Sequence, residues 1–98
     1  MLFRSTVGGT LVRGRMDRVA IGFRAGRAVR AEVVDWKTGA SSLAGAAFEE
    51  RIAGYRAQMA DYRRALCAML GLGAEAVTAT LAFVDRGELL SIEGPLPG

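Results

Sequence analysis

Apolar side chains three or four residues apart dominate the middle of the chain. They are Phe48, Ile52, Tyr55, Met59, Tyr62, Leu66 and Met69. This spacing predicts one amphipathic helix from about 46 to 69, with Gly71 just beyond it as the C-cap. One helix covers only one face of a sheet, so the other face is either thinly covered or covered by sequence outside this chain.

Shorter apolar and β-branched segments on both sides of the helix predict strands. The predicted strands are 2–7, 10–23, 28–37, 77–84 and 88–92. The predicted connections are Gly8-Gly9, 24–27, a loop beginning at 40–42, 85–87 and an irregular tail over 94–98. The order βββαββ predicts a mixed α/β fold with one crossover helix.

The residue types present exclude many kinds of site. The chain has 98 residues, which suits one domain, with a single cysteine, Cys67, and no histidine. An internal disulfide, a Cys/His zinc site and a four-cysteine iron–sulfur cluster are therefore impossible, as are Ser-His and Cys-His nucleophile pairs. A metal would need carboxylate and carbonyl oxygens, which favours Mg²⁺ or Mn²⁺.

Charge and hydropathy bear on location and partners. No apolar run reaches the roughly 18 residues that span a bilayer, and the first residues lack a signal-peptide pattern. We therefore expect a soluble, cytoplasmic protein without a membrane partner. The formal net charge is +3. Arginines concentrate in the first third of the chain, which suits phosphate contact but also a merely solvated basic face.

The end of the third predicted strand carries two charged residues in the segment Val33-Val34-Asp35-Trp36-Lys37-Thr38-Gly39. Because side chains alternate along a strand, Asp35 and Lys37 point to one face and Trp36 to the other. Strand ends are common places for functional sites. The alternative is a simple surface ion pair between Asp35 and Lys37.

Asp17 lies in the preceding predicted strand, between arginines. A hairpin turning near residue 25 or 26 places Asp17 opposite or diagonal to Asp35, on the same face of the sheet. Two carboxylates so placed repel each other, whereas a divalent cation between them reverses the repulsion. Asp17 and Asp35 are thus candidate metal ligands, and Lys37 a candidate for stabilising charge on a phosphate.

The predicted helix adds three polar or aromatic residues on one face: Tyr55, Gln58 and Tyr62. The two tyrosines can be core aromatics whose hydroxyls reach a partner. Gln58 beside the apolar stripe needs hydrogen-bond partners, which a nearby active site or a DNA backbone would supply.

Taken in order, these motifs resemble those of a known family. The segments are Gly14-Arg15-Met16-Asp17-Arg18-Val19, Val34-Asp35-Trp36-Lys37-Thr38-Gly39, Tyr55-Arg56-Ala57-Gln58-Met59-Ala60-Asp61-Tyr62 and Ala82-Phe83-Val84-Asp85-Arg86-Gly87-Glu88-Leu89. They look like the RecB-type nuclease module of the PD-(D/E)xK superfamily, in particular the C-terminal nuclease domain of AddA-type double-strand-break repair helicase–nucleases. The resemblance covers nearly the whole chain.

The resemblance implies a restriction-endonuclease-like fold and an exonuclease that hydrolyses phosphodiester bonds of DNA during recombinational repair. It implies Mg²⁺, or Mn²⁺, held by Asp17, Asp35 and the backbone carbonyl of Trp36, with Lys37 as the catalytic lysine. Gln58 and Tyr62 would orient the site or touch DNA. The implied partners are DNA and a helicase, in the same polypeptide or in another subunit.

The chain departs from the family pattern in two places. Trp36 stands where tyrosine is usual. The family also supplies an acidic residue or histidine from a helix upstream of the first strand, and the chain begins after that point. We therefore expect residues 1–93 to be a nuclease core truncated at its N-terminal side, followed by the tail 94–98.

Two other functions fit the same residues. One is a non-catalytic DNA-binding or docking module derived from this fold. The other is a plain α/β scaffold whose aspartates and lysine form surface ion pairs, which would hold if Asp17 and Asp35 faced opposite sides of the sheet.

Overall fold

The computed structural model describes residues 2–7, 10–39, 43–92 and 96, with side chains from Met16 onwards. The elements in chain order are β1 (Leu2–Val7), β2 (Thr10–Arg15), β3 (Arg18–Arg24), β4 (Arg27–Lys37), α1 (Gly45–Leu70), a 3₁₀ turn (Ala74–Ala76), β5 (Val77–Phe83) and β6 (Glu88–Ile92). The predicted Gly8-Gly9 turn, the start of the loop at 40–42 and all of the tail except residue 96 lie outside the described residues.

The strands form two sheets. β1 and β2 make an antiparallel hairpin, and the other four strands form a sheet in the order β3-β4-β5-β6. β4 and β5 run parallel because α1 carries the chain back across the sheet, while the other neighbours are antiparallel. This architecture confirms the predicted mixed α/β fold class.

The β3–β4 hairpin closes through a two-residue turn at the predicted position. Ala25 and Gly26 have φ values of 49° and 78°, as in the type I′ turns that match the twist of paired strands. Next to the turn Arg24 pairs with Arg27, and a β-bulge between Gly22 and Phe23 then shifts the register by one residue, so that Arg18 pairs with Val34. That register decides which residues meet at the far end of the hairpin.

The predicted strand 10–23 was wrong in its extent, because the structure divides it into β2 and β3. Met16 and Asp17 belong to neither strand. β2 pairs with β1 and β3 pairs with β4, so the chain leaves one sheet and enters the other at this point. No proline or glycine marks the two residues, and Met16 is fully buried.

The core forms where α1 packs against the four-stranded sheet; α1 also contacts β1. Most of the predicted apolar stripe is buried there, but Met69 is exposed. The helix ends as predicted, with Gly71 in the left-handed conformation at φ 67°.

The sequence did not predict the burial of Arg63. Its Nε donates to the Val77 carbonyl at 2.8 Å and its Nη2 to the Ala74 carbonyl at 2.9 Å. These bonds tie α1 to the start of β5. A buried arginine is tolerated where its donors find acceptors in this way.

The face of the sheet opposite α1 exposes Trp36, which is 48% exposed, and Leu89, which is 75% exposed. Both pair with Ala82 of β5, from opposite sides, so the three residues share that face. In the described part of the chain, no helix is long and apolar enough to cross a membrane.

Candidate active site

The candidate site lies at the end of β4, next to Met16 and Asp17, the two residues that separate β2 from β3. The register that pairs Arg18 with Val34 places Asp17 opposite Asp35, one step beyond the last ladder pair. Asp17 Oδ2 accepts a hydrogen bond from the Trp36 backbone N–H at 2.9 Å. The Asp17 side chain is therefore held against the Asp35–Trp36 peptide, although Asp17 itself is exposed.

Asp35 is the buried member of the carboxylate pair, at 5% exposed. The Asp17 carboxyl lies close enough to hydrogen-bond with it. Lys37 Nζ is 2.6 Å from Asp35 Oδ2 and forms an ion pair with it. Among the described residues, Oδ2 is a buried oxygen with no hydrogen-bond partner. Such an oxygen can still accept a ligand.

Electrostatics at Asp35 reflect this crowding. Burial raises the pKa of Asp35, and the neighbouring Asp17 carboxylate raises it further, while Lys37 lowers it. The net direction is upward, so the metal-free fold disfavours a charged Asp35. A bound cation would favour the charged form.

Three groups hold the Lys37 side chain in place. Its ammonium is an ion-pair partner of Asp35, donates to Gln58 Oε1 at 2.9 Å and lies 4.4 Å from the centre of the Tyr55 ring. The ring face attracts a cation. These contacts fix the ammonium beside the carboxylates.

Gln58 links the lysine to Tyr62. Its Nε2 donates to the Tyr62 hydroxyl oxygen at 3.0 Å, which sets the amide so that Oε1 faces Lys37. Burial and the nearby charges of Asp35 and Asp17 raise the pKa of Tyr62. Tyr62 therefore remains a neutral phenol at ordinary pH.

The structure brings together the five side chains that the motif resemblance named, Asp17, Asp35, Lys37, Gln58 and Tyr62, and it adds the Tyr55 ring beside Lys37. The Trp36 indole lies on the opposite face, as predicted, and its amide rather than its side chain enters the site. The separation of Asp17 and Asp35 required by the plain-scaffold interpretation is not observed. The catalytic roles of these residues remain a prediction.

A divalent cation fits the donor set. Within the described residues, no cluster of three or more His, Cys, Asp or Glu side chains occurs. Mg²⁺ commonly takes only one or two carboxylates and completes its octahedron with water and substrate oxygens. The neighbouring carboxylates of Asp35 and Asp17 match that requirement.

Sequence reasoning missed the turn that supports the site from the other side. Gly39 N–H donates to Asp85 Oδ2 at 2.9 Å, and Arg86 Nη1 donates to the Leu43 carbonyl at 3.0 Å. The turn between β5 and β6 thus holds the chain at the end of β4 and before α1. The sequence signal was the Asp-Arg-Gly turn, whose partners lie more than 40 residues away.

A testable consequence concerns stability in EDTA. The folded-state pKa of Asp35 is raised, so above the ordinary aspartate range the folded protein binds more protons than the unfolded chain. The free energy of unfolding of the metal-free protein therefore falls as the pH rises. Asp35→Asn should remove this part of the fall and make the metal-free protein more stable than wild type near neutral pH. Urea denaturation from pH 4 to 8 measures the difference. A steeper fall in the variant would contradict the assignment.

The fold and site together define a class of protein, in which a mixed sheet presents paired carboxylates and a lysine at a strand end. A family model of the PD-(D/E)XK nuclease superfamily matches residues 2–94, and the chain belongs to that superfamily. The match makes it a nuclease-like module, and nucleases of this superfamily generally use divalent metal ions. A search of curated proteins and a search of solved structures each gave no significant match.

Proposed function

We propose that the protein is a metal-dependent deoxyribonuclease, an exonuclease module that hydrolyses phosphodiester bonds of DNA with Mg²⁺ or Mn²⁺. The observation that supports this most strongly is the buried Asp35 carboxylate, which lies between the Asp17 carboxyl and the Lys37 ammonium. Such an arrangement is unfavourable for folding alone, because two carboxylates and a desolvated charge meet there.

Asp17, Asp35 and the backbone carbonyl of Trp36 would hold the cation. A cation bound there would polarise the scissile phosphate and make a water molecule more acidic. The position of Asp17 supports this set, because its carboxylate already lies on the Asp35–Trp36 peptide.

Lys37 would place its ammonium against the phosphate oxygens as negative charge grows on them. The hydrogen bond to Gln58 and the Tyr55 ring hold that ammonium in place before substrate arrives. Tyr62 would act through Gln58, because its hydroxyl orients the amide that holds the ammonium. Little rearrangement of these side chains is then needed during the reaction.

The wider setting that we propose follows the motif resemblance. The module would belong to a RecB- or AddA-type helicase–nuclease acting in double-strand-break repair and recombination. Its partners would be DNA and a helicase, in the same polypeptide or another subunit.

One observation favours a second candidate function, a non-catalytic DNA-binding or docking module. Two carboxylates are the only side-chain ligands that the described residues offer in one place, and a site with so few charged ligands binds a cation weakly. Such a module would bind DNA in a salt-dependent way that ignores both metal and Asp17.

A cleavage assay separates the two. Purified protein incubated with end-labelled single-stranded DNA should release short products in Mg²⁺ or Mn²⁺ and none in EDTA. Asp35→Ala should release none in either condition. Salt-sensitive binding without any metal-dependent product would contradict the nuclease and support the docking module.

A further inference from the structure

A groove leaves the candidate active site along one flank of α1. Its volume is about 620 Å³. It is lined by Leu43, Ala47, Glu50, Arg51, Gly54, Tyr55 and Gln58. Tyr55 and Gln58 are two of the three residues that hold Lys37, so the groove opens directly onto the proposed chemistry.

Gly54 lies in this groove without a conformational reason for being glycine. It has an ordinary helical backbone, since it is not among the residues with positive φ, and a Cβ built there would meet nothing within 4 Å. A glycine inside a helix costs about 1 kcal/mol relative to alanine. At this position the glycine leaves the helix surface beside the site without a side chain, so another backbone can approach it closely.

Arg51 supplies positive charge one helical turn from Gly54. It is exposed, and among the described residues it makes no ion pair. Glu50 also lines the groove and opposes an anionic ligand. Phosphate contact is therefore expected on the Arg51 side, between Arg51 and Gln58, rather than against Glu50.

We infer that this groove is a track for one strand of DNA flanking the scissile phosphate, with Gly54 as its floor and Arg51 as a phosphate contact. The inference rests on the proposed function and specifies its substrate as single-stranded. A groove of this volume is in the size range of pockets for small ligands, which suits a few nucleotides of one strand and not a duplex.

The helix geometry gives the length of the track. Ala47 to Gln58 spans about 16 Å at 1.5 Å per residue. At the strand repeat of about 3.4 Å per nucleotide, this corresponds to at most about five nucleotides, and to fewer in an extended strand. Affinity should therefore stop rising steeply once an oligonucleotide fills the track and the site.

Two groove variants and two matched controls on the same helix test the track. Arg51→Gln removes the phosphate contact, and Gly54→Leu fills the floor with a good helix former. Arg56→Gln is the charge control, since Arg56 lines a different cavity, beside β6. Ala53→Leu is the bulk control at an exposed position adjacent to Gly54.

The readout is the dissociation constant for a fluorescent dT₁₂ oligonucleotide, measured by anisotropy in EDTA at several salt concentrations. We expect about tenfold weaker binding for each groove variant and less than twofold change for each control. Arg51→Gln should also reduce the salt slope by about 0.7. Circular dichroism should show all four folded.

Cleavage kinetics in Mg²⁺ supply a second readout. The groove variants should raise KM for dT₁₂ while leaving kcat close to wild type, because they do not touch the reacting atoms. Equal affinities for groove variants and controls, a fall in kcat alone, or no DNA binding by wild type would overturn the track. Wild type that binds through Arg51 but never cuts would overturn the nuclease and leave the track standing.

Discussion

Lys37→Met is expected to lower the kcat of metal-dependent DNA cleavage by about 100-fold to 1,000-fold. The substitution keeps an unbranched apolar side chain against Tyr55 but removes the only ammonium beside the carboxylates in the described site. Losing one preorganised group that stabilises transition-state charge costs about 3–4 kcal/mol in comparable enzymes. Single-turnover cleavage of labelled DNA at saturating Mg²⁺ measures the change.

Arg56→Met is the matched control for Lys37→Met, since it removes one positive charge from an exposed position away from the site. It should cleave at a rate within about twofold of wild type. Binding of Mn²⁺ should survive in Lys37→Met, because the proposed ligands are unchanged. A Lys37→Met protein that cuts within tenfold of wild type would show that the lysine is not part of the chemistry.

Asp17→Asn is expected to remove the stabilisation that a divalent cation gives to the fold. A ligand that binds only the folded state adds about 2.7 kcal/mol at a concentration 100 times its Kd. Wild type should gain this amount in Mg²⁺, whereas Asp17→Asn should gain almost none at the same concentration. Urea denaturation with and without Mg²⁺ measures both.

The metal-free stability of Asp17→Asn serves as an internal check. Asparagine retains an oxygen that can accept the Trp36 N–H, and the change removes a like charge beside Asp35. The variant should therefore be at least as stable as wild type in EDTA. Asp61→Asn, which alters a half-exposed carboxylate paired with Arg64 on α1, should keep the full response to Mg²⁺. Equal Mg²⁺ responses in wild type and Asp17→Asn would contradict the ligand assignment.

Elements in which apolar residues recur at a regular spacing could be predicted from the sequence. The stripe from Phe48 to Leu66 determines α1, because only one face of that helix is apolar. The turn at Ala25 and Gly26 was also predictable, since Gly26 tolerates positive φ. The division of the second predicted strand was not. Met16 continues the alternation of the strand, so the switch between sheets depends on pairing with distant segments.

The site shows the same division between local and distant information. Alternation along β4 predicts that Asp35 and Lys37 share a face, and an approximate turn position puts Asp17 near them. The one-residue register shift between Gly22 and Phe23, which the sequence did not predict, is what sets Asp17 opposite Asp35. The bond from Lys37 to Gln58 and the link from Gln58 to Tyr62 required the packing angle of α1 on the sheet. Spacing on a helix shows which residues share a face but not what that face meets.

Burial of Asp35 also lay beyond sequence reasoning, which placed it at a strand end without a depth. In the structure, β4 lies between β3 and β5 and is covered by α1, so the carboxylate is desolvated. Desolvation makes the charged pair costly and makes a bound cation more favourable. The same feature that weakens the metal-free fold therefore supports the proposed function.

Calorimetric titration of the purified protein with Mn²⁺ tests most directly whether Asp17 and Asp35 share one cation. We predict saturable binding of one ion per chain to wild type, and loss of that binding in both Asp17→Asn and Asp35→Asn. Saturable binding that persists in either variant, or its absence from wild type, would contradict the shared site.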